Sequence, residues 1–504
     1  MCIQEQGCIM FKKILIANRG EIAVRIMRTC REMGIGTVAV YSDVDRGSLH
    51  VLSADQAVPL GDPEPYRSYL DINKIIKAAQ DSGAEAIHPG YGFLAENALF
   101  AEQCASAGLT FIGPPPQAIR DLGDKITARR IMTDGGVPVI PGISESIEDI
   151  AAVTADAEKI GYPVLVKAAA GGGGKGMRVV HNPSDLPDAC ASSSREAEGA
   201  FGNGTIFIEK YLNPSRHVEF QILADSFGNV IHLNERECSI QRRHQKIIEE
   251  SPSPVMTPEL RKKMGEAAVA AAKASGYVNA GTVEFIVDSN SNFYFLEVNT
   301  RLQVEHPVTE MTTGIDLVRH QIEIAAGKRL SLSQDDISAQ GHSIECRIYA
   351  EDPEKGFFPS PGTIHYMKEP SGPGIRNDCG VYSGYTVPVE YDPIVSKLVV
   401  HAETRGDAVT RMIRALKEYI ILGITTPIPF LIDVLKSEPF RNGETYTDCI
   451  DTHFSKWVMD RSNIQAARIA YIADELLPKE KKAYSFTKVM NSTGPWQTLG
   501  NWRI

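Results

Sequence analysis

The sequence predicts a multidomain protein of mixed α/β and α+β class, opening with a doubly wound parallel sheet. Three observations carry that reading. A strand, loop, helix and strand follow one another from Lys12 to Tyr41, the order of a parallel sheet wound by helices. Three segments rich in β-branched and aromatic residues lie between Arg216 and Val287, as strands of a second unit. From Gly341 the chain restarts with short strands and then a helix, an α+β pattern. At 504 residues there is room for several cores.

Each element has its own warrant. Lys12–Ala17 is a short apolar strand, Asn18-Arg-Gly-Glu21 turns it into an amphipathic helix at Ile22–Met33, and Thr37–Tyr41 is the next strand. The turn has one glycine and no GxGxxG, so dinucleotide binding is not supported. Helix Ile72–Gln80, strand Ala86–His88, the glycine-rich turn Pro89–Asn97, helix Ala98–Ala107 and strand Thr110–Ile112 form a further unit. Gly113-Pro-Pro-Pro116 is a stiff boundary.

Helix Ile126–Thr133 leads to a strand at Tyr162–Lys167, a glycine loop at Gly171–Gly176 holding Lys175, and a strand at Met177–Val180. A strand follows the loop where a Rossmann turn needs a helix, and Gly176 stands where a Walker loop needs Ser or Thr. Such a loop can still lay N–H groups over phosphates, or be a plain surface hairpin. Thr205–Leu212 ends that unit, and strands follow at Arg216–Ile222, Val230–Leu233 and Gly281–Val287, with helix Pro258–Ala274 before the last. Between Leu233 and that helix, Glu235–Lys246 is dense in cations, as either a binding segment or a solvated basic loop. The third unit has strands at Ser343–Tyr349, Gly362–Tyr366 and Val395–His401 and a helix at Asp407–Tyr419, reaching about Phe454. Beyond it lie all three tryptophans, Trp457, Trp496 and Trp502, and a helix with Ile464, Ile469, Ile472 and Leu476 on one side. That tail is an interaction segment or packs on its own core.

Composition narrows the class. Hydrophobic content of 43% and charged content of 23% describe an ordinary globular protein, and a net charge of −11 argues against a general nucleic-acid binder. No apolar run is long enough for a bilayer, and residues 1–9 lack the regions of a signal peptide, so Met10 reads as an alternative start. Nine scattered cysteines with no CxxC fit a reducing compartment and no zinc site. The expected location is the cytoplasm.

The chemistry concentrates in Phe293–Pro307. An aromatic run opens it, and then every second residue is polar: Glu297, Asn299, Arg301, Gln303 and Glu305. In an extended chain these five side chains share one face. Oxygen donors suit a hard cation and the guanidinium suits an oxyanion; a solvated edge strand with paired charges is the plainer alternative.

At this point the chain resembles the biotin carboxylases, a branch of the ATP-grasp enzymes. The resemblance rests on Ile16–Ala23, His88–Asn97, Lys167–Met177, Glu235–Lys246 and Glu297–Pro307, and covers roughly residues 10–454 in one order. It implies an N-terminal pre-ATP-grasp domain at 10–123, an ATP-grasp domain at 124–335 with a mobile lid at about 139–210, a C-terminal domain at 343–454, and a tail at 455–504. It implies that Lys125, Lys167 and the glycine loop (Gly172, Gly173, Gly174) sit on ATP phosphates. Glu209, Lys210 and Leu212 would hold the adenine, and His217, Gln241 and His244 would line the nucleotide site. Glu284, Glu297 and Asn299 would hold Mg2+ or Mn2+.

Bicarbonate would be bound by Lys246, Arg301, Gln303 and the backbone of Val304, with Glu305 as general base. Arg347 would stabilise the biotin enolate, with Tyr91 also at the biotin end. The only Met-Lys pair, Met367-Lys368, is followed by Glu369-Pro370, unlike a biotin attachment site. The expected partners are therefore a separate biotin carboxyl carrier protein and a carboxyltransferase, with homodimers common in the family. The implied assembly is a carboxylase acting on acetyl-CoA, propionyl-CoA or pyruvate. Another ATP-grasp ligase, of carbamoyl-phosphate type, and a non-catalytic ATP-binding scaffold are the alternatives.

Overall fold

The computed structural model of the chain describes residues 10–143, 150–168, 177–462 and 464–476. It divides into a large unit ending at Trp457 and a small one beginning at Val458.

The large unit opens with the expected parallel sheet. Its strands run Gln56–Gly61, Gly36–Ser42, Lys13–Ile16, Ala86–His88 and Thr110–Phe111 in spatial order, every pair parallel. The Gln56–Gly61 edge strand was not legible, since it carries Pro59 and little apolar patterning; an edge tolerates that proline. Helix Gly20–Glu32 buries Ile22, Ala23, Ile26, Met27 and Cys30, the stripe that a 3.6-residue period places on one side.

The second sheet is antiparallel and has eight strands. In spatial order they are Phe293–Asn299, Asn279–Asp288, Ser215–Ala224, Val230–Arg242, Gln245–Ser251, His342–Tyr349, Ile394–Ala402 and Ile375–Cys379. Two expectations change here. The cation-dense run Glu235–Lys246 is no loop: it completes a 13-residue strand, turns at Arg243 and His244, and returns as the next strand. Its charges hid the strand because they are buried as pairs; Arg236 is wholly buried and Glu237 nearly so. Nor does the chain begin a separate sheet at Gly341. His342–Tyr349 pairs with Gln245–Ser251, Glu345 opposite Glu249, so Arg347 stands beside the second unit's strands. Gly380 explains another close approach: a Cβ there would lie 2.5 Å from the Glu21 backbone nitrogen.

A four-stranded antiparallel sheet, in the order Gly142–Ile143, Ile206–Lys210, Val164–Ala168 and Arg178–Val180, stands apart from these. Its own small core includes Val164, Val166, Leu186 and Ile208. The glycine loop between its last two strands, with Gly172, Gly173, Gly174 and Lys175, lies outside the described residues.

Trp457 belongs to the large unit. Its ring meets Phe430 edge-on at 5.3 Å and its Nε1 donates to Asp433 Oδ2 at 2.9 Å, so this tryptophan packs on its own core. Trp496 and Trp502 lie outside the described residues. The small unit has the expected helix, Ile464–Leu476, on which Ile469, Tyr471 and Ile472 are exposed. Among the described residues no helix is long and apolar enough to cross a membrane.

Candidate active site

The site is built on one row of the large sheet. Glu297 stands opposite Glu284, Glu284 opposite Glu219, and Glu219 opposite Arg236. Residues directly opposite share a face, their Cβ atoms about 5 Å apart. Three carboxylates and a guanidinium thus line up across four strands.

The strand itself stops at Asn299, short of the extended run to Glu305 that the alternation predicts. Residues 300–305 turn, and Glu305 immediately precedes helix His306–Thr313, with Pro307 in its first turn, where a missing N–H costs nothing. The polar tips converge all the same, because side chains pin the turn. Glu96 accepts from the Thr300 backbone at 3.0 Å and from Arg301 Nε at 2.9 Å. Arg301 reaches Asn299 Oδ1 at 3.0 Å and Gln303 Oε1 at 3.1 Å. Asn299 and Gln303 donate to Glu284 Oε1 at 2.8 and 3.4 Å.

These groups face a cavity of about 710 Å3, within the usual range for a small-molecule site. Arg301, Gln303, Val304, Lys246, Arg347 and Tyr91 are among its lining residues. Glu305 lies behind them, with no exposed surface. Its Oε1 accepts from Lys246 Nζ at 2.6 Å and its Oε2 from Arg347 Nη2 at 3.0 Å. Burial alone would raise the Glu305 carboxyl, but Lys246 and Arg347 reverse this and hold it well below the usual carboxylate range. Lys246 also donates to Glu219 at 2.6 Å and Glu284 at 2.8 Å, and despite burial these three carboxylates keep its ammonium firmly charged. Tyr91 hydrogen-bonds Glu21.

Lys125, Lys167, Leu212, His217, Gln241 and His244 line the same cavity. Burial lowers Lys125, against the pull of Glu297. Glu209 and Lys210 line it too, and their side chains already have protein partners. Lys167 Nζ donates to Glu209 Oε1 at 2.9 Å, and Lys210 Nζ donates to the Gly161 carbonyl at 2.8 Å. His217 sits 3.0 Å from Glu284 Oε2 and its Nδ1 meets Gln241 at 2.9 Å; burial opposes its protonation, yet Glu284 raises its pKa. Burial lowers His244, which sits in the turn with φ of 67°.

The donor set fits a divalent hard cation. Glu284 and Glu297 are cross-strand neighbours, Asn299 touches Glu284, and all three face the cavity. Among the described residues Glu297 has no hydrogen bond or ion pair, so its oxygens are open to an ion. Oxygen ligands of this kind suit Mg2+, which also keeps places for phosphate oxygens. A second set of ligand-type atoms, on His217, Glu219 and Glu284, shares Glu284 with the first, and Lys246 donates to both of its carboxylates.

Sequence reasoning missed several members of this network. Glu219 and Arg236 are completely buried and joined at 2.5 Å; the alternation His217, Glu219, Gln221 on one strand was the available signal. Glu249 accepts from Arg347 Nε at 2.6 Å. No local pattern revealed it, since its partner is 98 residues away.

Comparison with known proteins agrees with this geometry. Residues 10–119 match the biotin carboxylase N-terminal domain, 124–333 the ATP-binding domain of the carbamoyl-phosphate synthase L chain, and 345–452 the biotin carboxylase C-terminal domain. Biotin carboxylase 1 of Bacillus subtilis is 53% identical over 445 residues, 88% of this chain and 99% of that one. Among solved structures, the biotin carboxylase domain dimer of the Hydrogenobacter thermophilus 2-oxoglutarate carboxylase, in complex with MgADP, ADP and bicarbonate, superposes with a TM-score of 0.85. It is 49% identical and the match covers 88% of this chain and 98% of that one. A biotin carboxylase component of pyruvate carboxylase superposes with a TM-score of 0.79 at 48% identity, over 90% of this chain and 100% of that one. Three matching domains in one order, around a cavity that gathers carboxylates, lysines and arginines, show that this chain belongs to the biotin carboxylase family of ATP-dependent ligases.

Proposed function

We propose that the cavity carboxylates biotin presented by a carrier protein, through carboxyphosphate, in the cytoplasm, and that the chain works as a dimer beside a carboxyltransferase. The observation that carries this reading is Glu305 held between Lys246 and Arg347, which line the cavity together with Arg301 and Gln303. Lys125 and Lys167 would meet the ATP phosphates, for which lysine is a suitable point charge. Glu284, Glu297 and Asn299 would hold Mg2+, which supplies charge neutralisation to the phosphates. Lys246, Arg301, Gln303 and the Val304 backbone would hold bicarbonate, whose oxygen attacks the γ-phosphorus.

Glu305 would take the bicarbonate proton. Paired with two cations it is a weak base, but an anion drawing on Lys246 lessens that pairing and raises its basicity. Carboxyphosphate would then yield CO2 and phosphate; the phosphate would take the biotin N1′ proton, and Arg347 would stabilise the enolate oxygen. Fixed donors in a closed site need no reorganisation as that charge develops. Burial raises Asp392, which lines the same cavity.

The final carboxyl acceptor belongs to the transferase partner, and the two solved carboxylases named above serve different ones. The test is ADP release with and without bicarbonate and free biotin. It should require bicarbonate and rise with biotin. Release indifferent to both would sink the proposal, and dependence on ammonia instead would favour the carbamoyl-phosphate alternative.

A further inference from the structure

Behind Arg347 lie two carboxylates that the chemistry above does not use. Glu249 and Glu345 stand directly opposite each other on the strands Gln245–Ser251 and His342–Tyr349, and neither has any exposed surface. Glu249 Oε1 accepts from Arg347 Nε at 2.6 Å. Among the described residues, Glu249 Oε2 and both oxygens of Glu345 are buried without any hydrogen-bond donor. Buried acceptors are rarely left in this state, and two ionised carboxylates so placed repel strongly.

We propose that Glu249 and Glu345 share one proton, the Glu345 O–H donating to Glu249 Oε2, and that this pair is the positioning device that aims Arg347 at the biotin end of the cavity. One proton answers two anomalies together. It gives orphaned oxygens on both residues a partner, and it removes a negative charge that the surrounding cations do not match. The groups facing the pair are few. Lys246 lies on the strand of Glu249 and Arg347 on the strand of Glu345. Lys397 comes from the next strand, where it already pairs with Glu21 at 3.1 Å and faces Asp378. Glu305, His306 and Glu310 come from the segment above, where Arg25 and Arg376 pair with Glu310, and burial keeps His306 neutral. Arg347 is shared by Glu305 and Glu249, Lys246 by Glu305, Glu219 and Glu284, and Lys397 is paired with Glu21, so among the described residues no cation hydrogen-bonds Glu345.

The direction of the titration agrees: burial, aided by the other carboxylate, raises Glu345 well above the usual range, and burial raises Glu249 to about 7. Deprotonating the pair would place a second anion behind Arg347 and draw its guanidinium away from the enolate. The role rests on the reaction proposed above, but the shared proton does not.

Glu345→Gln is the test, because its amide N–H replaces the proposed O–H. Wild type minus variant infrared spectra near pH 7.5 should show a protonated-carboxyl band, shifted in D2O, that the variant lacks. Biotin-dependent turnover of wild type should fall on the alkaline side as the proton leaves, while Glu345→Gln should hold its rate within about twofold across that range. Glu345→Ala, with neither donor, should lose about tenfold in turnover. A missing difference band, or an alkaline limb unchanged in Glu345→Gln, overturns the pair. A band without any biotin dependence in wild type upholds the pair and refutes the reaction instead.

Discussion

Two buried ion networks, similar in density, sit in different surroundings. One joins Glu305, Lys246, Arg347, Glu284 and Glu219 at the cavity. The other joins Arg25 to Glu310 and Asp316, both at 2.8 Å, and Arg376 to Glu310 at 2.8 Å and Asp378 at 2.7 Å. Both shift their members strongly: Asp378 is held low against burial by Arg376 and Lys397, much as Glu305 is by its own cations. Burial and pKa shift therefore do not separate them. What does is access. None of Arg25, Glu310, Arg376 or Asp378 lines the 710 Å3 cavity, whereas Lys246, Arg347 and Glu284 do. A perturbed group marks a functional site only when a ligand can reach the group it perturbs.

The largest effect should come from the cavity network. Glu305→Gln should lower turnover by about 10²–10⁴-fold, as for loss of a general base, while calorimetric titration shows ATP binding kept. Turnover above a tenth of wild type would remove Glu305 as the base. The second network should answer in stability instead. Glu310→Gln leaves Arg25 and Arg376 short of a partner and should cost about 3–5 kcal/mol in urea unfolding, with turnover per folded molecule within about twofold. A rate loss as large as that of Glu305→Gln would erase the distinction between the two.

A third variant sharpens the electrostatics. The Glu305 carboxyl is depressed, so it stays ionised as pH falls through the ordinary carboxylate range. Lys246→Gln removes its nearest cation and should raise it, moving the acid-side fall of kcat/KM upward by about 1–3 pH units on the residual activity. An unmoved limb would mean that Lys246 does not set the base. The smallest effect concerns the chain's end. Truncation after Trp457 should leave turnover with free biotin unchanged, while truncation after Phe454 should lose a further ~1–3 kcal/mol of stability, from Trp457 packing on Phe430. Equal stability of the two truncations would place Trp457 outside the core.

Much of the site was legible because its residues are close in sequence. Glu297, Asn299, Arg301, Gln303 and Glu305 announce themselves by type and spacing, even though the strand holds only the first two of the five. A turn pinned by Glu96 brings the last three into place. The strand in Glu235–Lys246 was hidden by its own charges, since patterning treats Arg236 and Glu237 as surface residues and the fold buries them. Glu209 and Lys210, which the family resemblance rather than residue pattern pointed to, line the same cavity with their side chains engaged by Lys167 and the Gly161 carbonyl.

Alone, the order of residues determined the fold class, the parallel opening sheet, and the local groups of oxygen donors and cations, because periodicity and residue chemistry act over a few positions. Only the tertiary structure decided which of those groups meet. Pairing of His342–Tyr349 with Gln245–Ser251 set Arg347 beside Glu249 and within reach of Glu305. Such contacts join residues 42 to 98 positions apart, and strand register, which local pattern leaves open, fixes them.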